Sequence, residues 1–412
     1  MRLPLFAVAV LLRFSLICSF NPSFALRNHL KRLGPKRRTE LLQSLESEKL
    51  LDALSMPEAT QPIILQWSPQ RRAIWSRWKG TVWQTTALPT FLLSCLSLGL
   101  CLVAKQGFGM PFNANAGRFF LALQRLDRLW QMHLTVLTFF LAFYLNTAKS
   151  LFDSVLVATR QVQGRLNDMN LIAASHAKRD ASGSMTPESK DLCDVLGRYT
   201  RLFVVLFYSA QCRLYESLLT KEGLAGMQKR GLVTQEESNI LSTLPPKARY
   251  NAVYTWIMTT FTQGCEDPDP QMRMPANAHF AFLLRMTDLR NSCATITDLV
   301  DARCPLAYVH LVQLLVDSFL LMTPFAALGE LGWFSVAATF LLSLFFSGLM
   351  DLSKMLYDPL DNEVFGDIDN IQIDTVIQEI NNGSRRFAAT GSSLPDGARK
   401  SVDTTVPVLN WS

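Results

Sequence analysis

The 412-residue sequence is poor in charge: Asp, Glu, Lys and Arg make up 18% of it, against about a quarter in an ordinary soluble domain. It also lacks the pieces from which catalytic and metal centres are built. Its eight cysteines (Cys18, Cys95, Cys101, Cys193, Cys212, Cys265, Cys293 and Cys304) contain no C-x-x-C pair, and no histidine stands at ligand spacing from one. A zinc site is therefore not expected, nor a disulfide framework. There is no phosphate-binding glycine loop, no H-E-x-x-H and no G-x-S-x-G, so the chain is not expected to be an enzyme. Repeats of the inverted-transporter kind are missing as well. The net charge of +6 gathers near the N-terminus and beside apolar segments. Without a basic stripe interleaved with base-stacking residues, a nucleic-acid partner is not expected.

What the chain has is apolar length. Phe alone contributes 26 residues, and mean hydropathy is positive at +0.15. Four stretches run with little or no charge: Thr81 to Ala104, with Pro89 inside it; Leu129 to Ala148, with His133; Pro305 to Gly329, with His310 and Asp317; and Leu331 to Met350. Each is close to the roughly 20 residues that a helix needs to cross about 30 Å of hydrocarbon. The fold class implied is all-α, a membrane protein with four transmembrane helices and a helical soluble region. The short link Gly329 to Gly332 makes the last two spans a tight hairpin.

The chain divides accordingly. Residues 1–40 read as a targeting leader, 41–80 as an N-terminal soluble segment, and 81–148 as spans one and two. Residues 149–303 read as a helical soluble region, 304–357 as spans three and four, 358–382 as an acidic post-membrane segment and 383–412 as a disordered tail. Basic flanks orient it: Arg71, Arg72, Arg77 and Lys79 precede the first span, and Lys149, Arg160 and Arg165 follow the second. This places both termini and the 149–303 region on the cytosolic or equivalent side. Within that region Thr186, Pro187 and Glu188 form a helix start, and Thr234 to Glu237 has capping-box spacing. Pro245 with Pro246, and the run Asp267 to Pro270, mark breaks. The apolar stretch Arg198–Leu219, interrupted by Arg201 and Arg213, reads as a buried helix rather than a fifth span. The sequons at Asn382 and Asn410 fall on the cytosolic side and read as chance.

Several short motifs, in order, resemble those of the bestrophin family. Arg77, Trp78, Lys79, Gly80 and Thr81 resemble its entry into the first helix, and Phe139 to Tyr144 its Phe-rich pore helix. Asn146 to Ala148 with Phe152 and Asp153 resemble the segment that follows. Arg198 with Tyr199, and Gly231 to Leu241, resemble its cytosolic helices. Leu289, Arg290 and Cys293, then Pro305 to Tyr308, resemble the approach to the third span, and Asp358 with Pro359 its calcium clasp. The resemblance covers about residues 77–382 and implies a homopentamer whose second helices surround an axial pore. It implies a passive channel for chloride or bicarbonate; the alternative is a non-conducting membrane scaffold that keeps the fold.

The resemblance assigns Thr135, Phe139 and Phe143 to the pore neck. Their spacing of i, i+4 and i+8 puts them on one helix face, where aromatic rings would form a hydrophobic constriction that gates by dewetting. From spacing alone, the same stripe could simply pack against neighbouring helices. Counting from Arg290, the family's second, cytosolic aperture falls at Asn277. The acids Asp358, Asp361, Glu363, Asp367 and Asp369 are the candidate calcium ligands, since calcium takes six to eight oxygens. Here the clasp's aromatic and glycine are displaced to Phe365 and Gly366, so a solvated acidic linker with calcium-independent gating stands beside that reading. Asp317 departs from the family's apolar third span; pairing with His310, Gln313 or Asn146 is expected.

The N-terminus carries Arg2, an apolar stretch Leu3 to Leu12 and small residues near Ser19 and Ala25, as a signal peptide does. Leu26 to Thr39 then holds six Lys or Arg and no acid. The combination resembles the bipartite plastid leaders of algae with secondary plastids, which implies a thylakoid membrane. An ordinary secretory leader, with the channel in the plasma membrane or endoplasmic reticulum, is the alternative.

Overall fold

The computed structural model describes residues 35–54, 62–64, 66–78, 80–108, 117–266, 274–361 and 371–393. Among these residues the chain is helical, with isolated bridges but no strand. It forms two compact units: residues 1–55 with 202–252, and residues 56–201 with 253–412.

The smaller unit contains helix α1 (Pro35–Ala53), and a helix Arg71–Ser76, α2, belongs to the larger one. The next in chain order are α3 (Trp83–Phe108), α4 (Gly117–His176) and α5 (Pro187–Gln211). The run Leu202 to Tyr208 at the end of α5 is buried on all sides, as an all-round apolar helix must be. The helix does not continue to Leu219. Cys212 is extended, and Arg213–Leu219 is a 3-10 helix whose Tyr215 and Leu218 share its buried side, as three residues per turn dictate. Its backbone is tied to α1 by the Gln43 amide, which donates to the Arg213 carbonyl at 2.9 Å. The Arg249 guanidinium closes its far end on the Leu219 carbonyl at 2.5 Å. Helices α6 (Lys221–Lys229) and α7 (Gln235–Thr243) follow. The expected capping box at α7 is present: Glu237 N–H donates to Thr234 Oγ1 at 3.2 Å, and Thr234 N–H to Glu237 Oε2 at 2.9 Å.

The larger unit holds α8 from Val253 on (Arg249–Cys265), α9 (Ala276–Asp301), α10 (Leu306–Leu331), α11 (Ser335–Leu356) and α12 (Ile373–Gly391). Among the described residues, three helical stretches are long and apolar enough to cross a membrane: Trp83–Lys105, Leu126–His176 and Leu306–Leu356. The third folds back on itself at Gly332, whose φ of 54° is open to glycine at little cost. Phe319 of α10 therefore meets Phe346 of α11 edge to face at 4.9 Å. Leu137, Leu141 and Tyr144 of α4 complete this core with Val312, Val316 and Leu320. Helices α3 and α11 approach through small hydroxyl residues: Ser97 with Ser335 at 3.3 Å, and Ser343 with Thr90 at 3.2 Å. Such residues let helix backbones come close where lipid offers no hydrophobic drive.

One boundary drawn from the sequence is corrected, and one helix is longer than its apolar stretch. Helix α4 does not end with its apolar stretch at Ala148 but runs unbroken to His176. It holds no proline, and the Lys149–Asp153 pair one turn apart supports the junction. Residues 383–391, assigned to a disordered tail, are the last turns of α12. Polar composition hides an amphipathic helix there: Ile373, Val376, Ile377, Ile380, Gly383 and Ser384 form its buried side. A Cβ on Gly383 would collide with Asn167 Oδ1, so α12 lies close against α4. Residues 1–34 of the leader and the break at 267–270 lie outside the described residues, as does Asn410, while residues 35–40 open α1.

Candidate pore-lining helix

Helix α4 has two unlike sides in its membrane portion. Leu137, Leu141 and Tyr144 are 0–2% exposed and face the core. Opposite them Thr135, Phe139 and Phe143 are open, the two phenylalanines at 60% and 58%. Their rings pack on each other at 5.0 Å, and Phe140 meets Phe139 at right angles at 5.7 Å. Thr135 donates its hydroxyl to the Gln131 carbonyl at 3.3 Å, so the side chain causes no unsatisfied donor. The structure thus brings the three expected neck residues to one free face of one helix.

That face continues through Asn146, Ser150, Asp153, Val157 and Gln161, all exposed or half-exposed. Here two grooves indent the surface. One, of about 610 Å³, is lined by Asn146, Lys149, Ser150, Asp153 and Gln161 with Thr295 of α9. The other, of about 670 Å³, lies between α4 and the stretch Pro62 to Gln66. Helix α12 clasps the lower part of α4: Glu379 accepts from Arg160 at 3.2 Å and from Gln163 at 2.6 Å. Nearby, Arg201 of α5 donates to Ser384 at 3.2 Å. Burial, then the like charge of Arg385, pulls its guanidinium down to about 10.

The other expected site residues are dispersed. Asn277 is exposed in the first turn of α9, away from the phenylalanine stripe in sequence and on another helix. Phe280 and Leu284 share its face and are 64% and 43% exposed. The sequence reading passed over them, although their i+3 and i+7 spacing from Asn277, out of phase with buried Phe282, marks a free apolar face. Of the acids, Asp358 accepts from Arg303 at 2.9 Å and Asp361 is buried. Glu363, Asp367 and Asp369 lie outside the described residues. Among the described residues no three His, Cys, Asp or Glu side chains gather as metal ligands. Asp317 is exposed on α10 and takes the Gln313 amide at 2.7 Å, one of the three partners expected for it.

A free, aromatic-lined face on a long membrane helix, carried on into a polar groove, is what one wall of an ion path requires. A family profile described as "Bestrophin, RFP-TM, chloride channel" matches residues 69–379. Crystal structures of a bacterial bestrophin homologue from Klebsiella pneumoniae have the same fold. One point mutant aligns with a TM-score of 0.58 and 14% identity, over 73% of this chain and 98% of that one. The structure phased on zinc aligns at 0.54 and 15% identity, over 74% of this chain and 97% of that one. A search of curated proteins gives no match. With the match reaching from the segment before α3 to the middle of α12, the chain belongs to the bestrophin family, an all-helical family of membrane channels.

Proposed function

We propose that this chain forms a passive channel for chloride or bicarbonate, as a homopentamer in which copies of α4 surround an axial path. The observation that carries this reading is the exposure of Phe139 and Phe143 on a helix whose opposite face is core. Large aromatic side chains left open at membrane depth need cover from lipid, another chain or a dry constriction. Thr135 above them and Asn146 below fit the constriction best, because polar groups on the same face would be costly against lipid. In a ring, the positive edges of the phenylalanines would face an anion. Helices α3, α4, α10 and α11 then supply four crossings, with α10 and α11 counted as separate arms.

Calcium enters this reading as a modulator. The acids Asp358, Asp361, Glu363, Asp367 and Asp369 offer the carboxylate oxygens that it takes. Because Asp358 already accepts from Arg303, a cation there would compete with that ion pair. The membrane proposed is the plastid thylakoid, on the strength of the apolar leader and the acid-free basic stretch behind it. A reporter fused to residues 1–40 should enter plastids in an alga with secondary plastids. Reporter held in the endoplasmic reticulum or plasma membrane would reassign the membrane and leave the channel reading standing.

Purified protein in planar bilayers under asymmetric KCl tests the channel itself. A current reversing near the chloride potential is expected, and replacing chloride by bicarbonate should sustain it. Silence at every voltage and calcium concentration would make the chain a non-conducting scaffold with the family's fold.

A further inference from the structure

Past the phenylalanines, the exposed face of α4 changes from aromatic to charged within three turns. Phe143 is followed on that side by Asn146, Ser150, Asp153 and Val157, at helical steps of three and four. Lys149 stands on the flank of this line, and its ammonium reaches the Asp153 carboxylate at 2.5 Å. Both side chains stay open, at 63% and 54%. The core side of the same turns is made by Ala148, Val155, Ala158 and Thr159, so the charged pair takes no part in packing.

Two cations lower on α4 are held from outside the helix. Arg160 is met by Glu379 of α12, and Arg165 by Asp288 of α9. Lys149 and Asp153 are met only by each other among the described residues, beside the groove that Asn146, Ser150 and Thr295 also line. An ammonium with neutral amide and hydroxyl donors around it suits a small hydrated inorganic anion. A carboxylate in the same place repels one.

We infer that Lys149 and Asp153 form a charge filter just beyond the neck, with Lys149 attracting the anion and Asp153 limiting how strongly it is held. The inference rests on reading α4 as the pore helix. A ring of these pairs carries no net charge, so an anion can enter and leave without being trapped, as conduction requires. Without Lys149 the path meets a ring of carboxylates that favours cations. Without Asp153 it meets a ring of ammonium groups that favours and retains anions.

The experiment compares the unmodified protein, Lys149→Gln, Asp153→Asn and the double variant in planar bilayers under asymmetric KCl. The chloride-to-potassium permeability ratio should fall on the order of threefold or more in Lys149→Gln and rise by a similar factor in Asp153→Asn. The double variant should return close to the starting ratio, and Lys149→Arg should keep it. Both single-variant shifts should shrink in 1 M salt, where screening shortens to about 3 Å. Single variants that conduct with an unchanged ratio, in a channel still sensitive to substitution of Phe139 and Phe143, would overturn the filter and leave the pore reading intact. If the unmodified protein carries no current, the pore reading falls, and the filter with it.

Discussion

Phe139 and Phe143 on α4, and Phe203 and Phe207 on α5, share a helical backbone and a spacing of four residues. Yet the first pair lies 60% and 58% exposed and the second 1% and 0%. Their surroundings account for the difference. Phe203 and Phe207 belong to the run Leu202 to Tyr208, apolar all round, and Tyr250 meets their ring faces edge on at 6.2 and 5.4 Å. Phe139 and Phe143 have Thr135 before them and Asn146 after them on the same side, while the apolar partners Leu137, Leu141 and Tyr144 point the other way. A phenylalanine pair thus ends buried or exposed according to whether its own face, one turn on either side, is apolar or polar.

The largest effect that would sharpen this comparison is on stability. Phe207→Ala should cost about 3–5 kcal/mol, as large core truncations do, and Phe203→Ala a similar amount. Phe139→Ala and Phe143→Ala should each stay within about 1 kcal/mol, because an exposed side chain leaves no cavity. Thermal or denaturant unfolding of the detergent-purified protein measures both, and equal losses at the two pairs would erase the distinction.

Function should show the reverse. The double variant Phe139→Ala with Phe143→Ala should raise open probability several-fold, since shorter side chains let the constriction stay wet. The same measurement on any Phe203 variant that still assembles should show no change in single-channel current. Unaltered currents in the assembled neck variant would return those rings to a packing role.

A smaller effect concerns the segment after the membrane. If the acids hold calcium, Asp367→Ala with Asp369→Ala should remove any calcium dependence of current or melting temperature. Arg303→Ala should increase calcium affinity by freeing Asp358 from its 2.9 Å ion pair. Identical melting curves in chelator and in millimolar calcium for the unmodified protein would end the calcium reading. The smallest effect is at α7, where Thr234→Ala should cost about 1 kcal/mol through loss of the capping box. Unfolding free energy reports it, and the channel's conductance should not move.

Much of this was legible in the residues because it is local. The apolar lengths predicted long apolar helices, the Gly329 to Gly332 link the hairpin, and Thr186 and Thr234 two helix starts, since each depends on near neighbours in the chain. The stripe Thr135, Phe139, Phe143 was legible as one face, but whether that face is free depends on Val312, Val316 and Phe346 lying on the opposite side of α4. No spacing within α4 reports that. The reach of α12 to Gly391 was missed because Asn381, Asn382, Gly383 and Ser384 look like tail composition. Gly383 and Ser384 are covered by Asn167 and Arg201, far away in sequence. The free face at Phe280 and Leu284 was missed because the apolar pattern of α9 is nearly continuous, so its core side is visible only once Phe261 stacks on Phe282 at 3.8 Å.

The unbroken run of α4 from Gly117 to His176 has a mechanical consequence. At 1.5 Å per residue its 60 residues make a rod about 90 Å long. Sharp bends in helices come from proline, glycine or bulges, and neither proline nor glycine lies between Phe143 and Gln161. The phenylalanine stripe and the lower groove are therefore carried on one unbroken helix. A rotation of the helix at Arg160 and Gln163, where Glu379 holds it, would be passed along the same unbroken backbone to Phe139 and Phe143, as a camshaft turns its lobes. If copies of α4 surround a path as proposed, that path would widen by rotation of whole helices and not by hinging, with the segment that carries Glu379 as the handle.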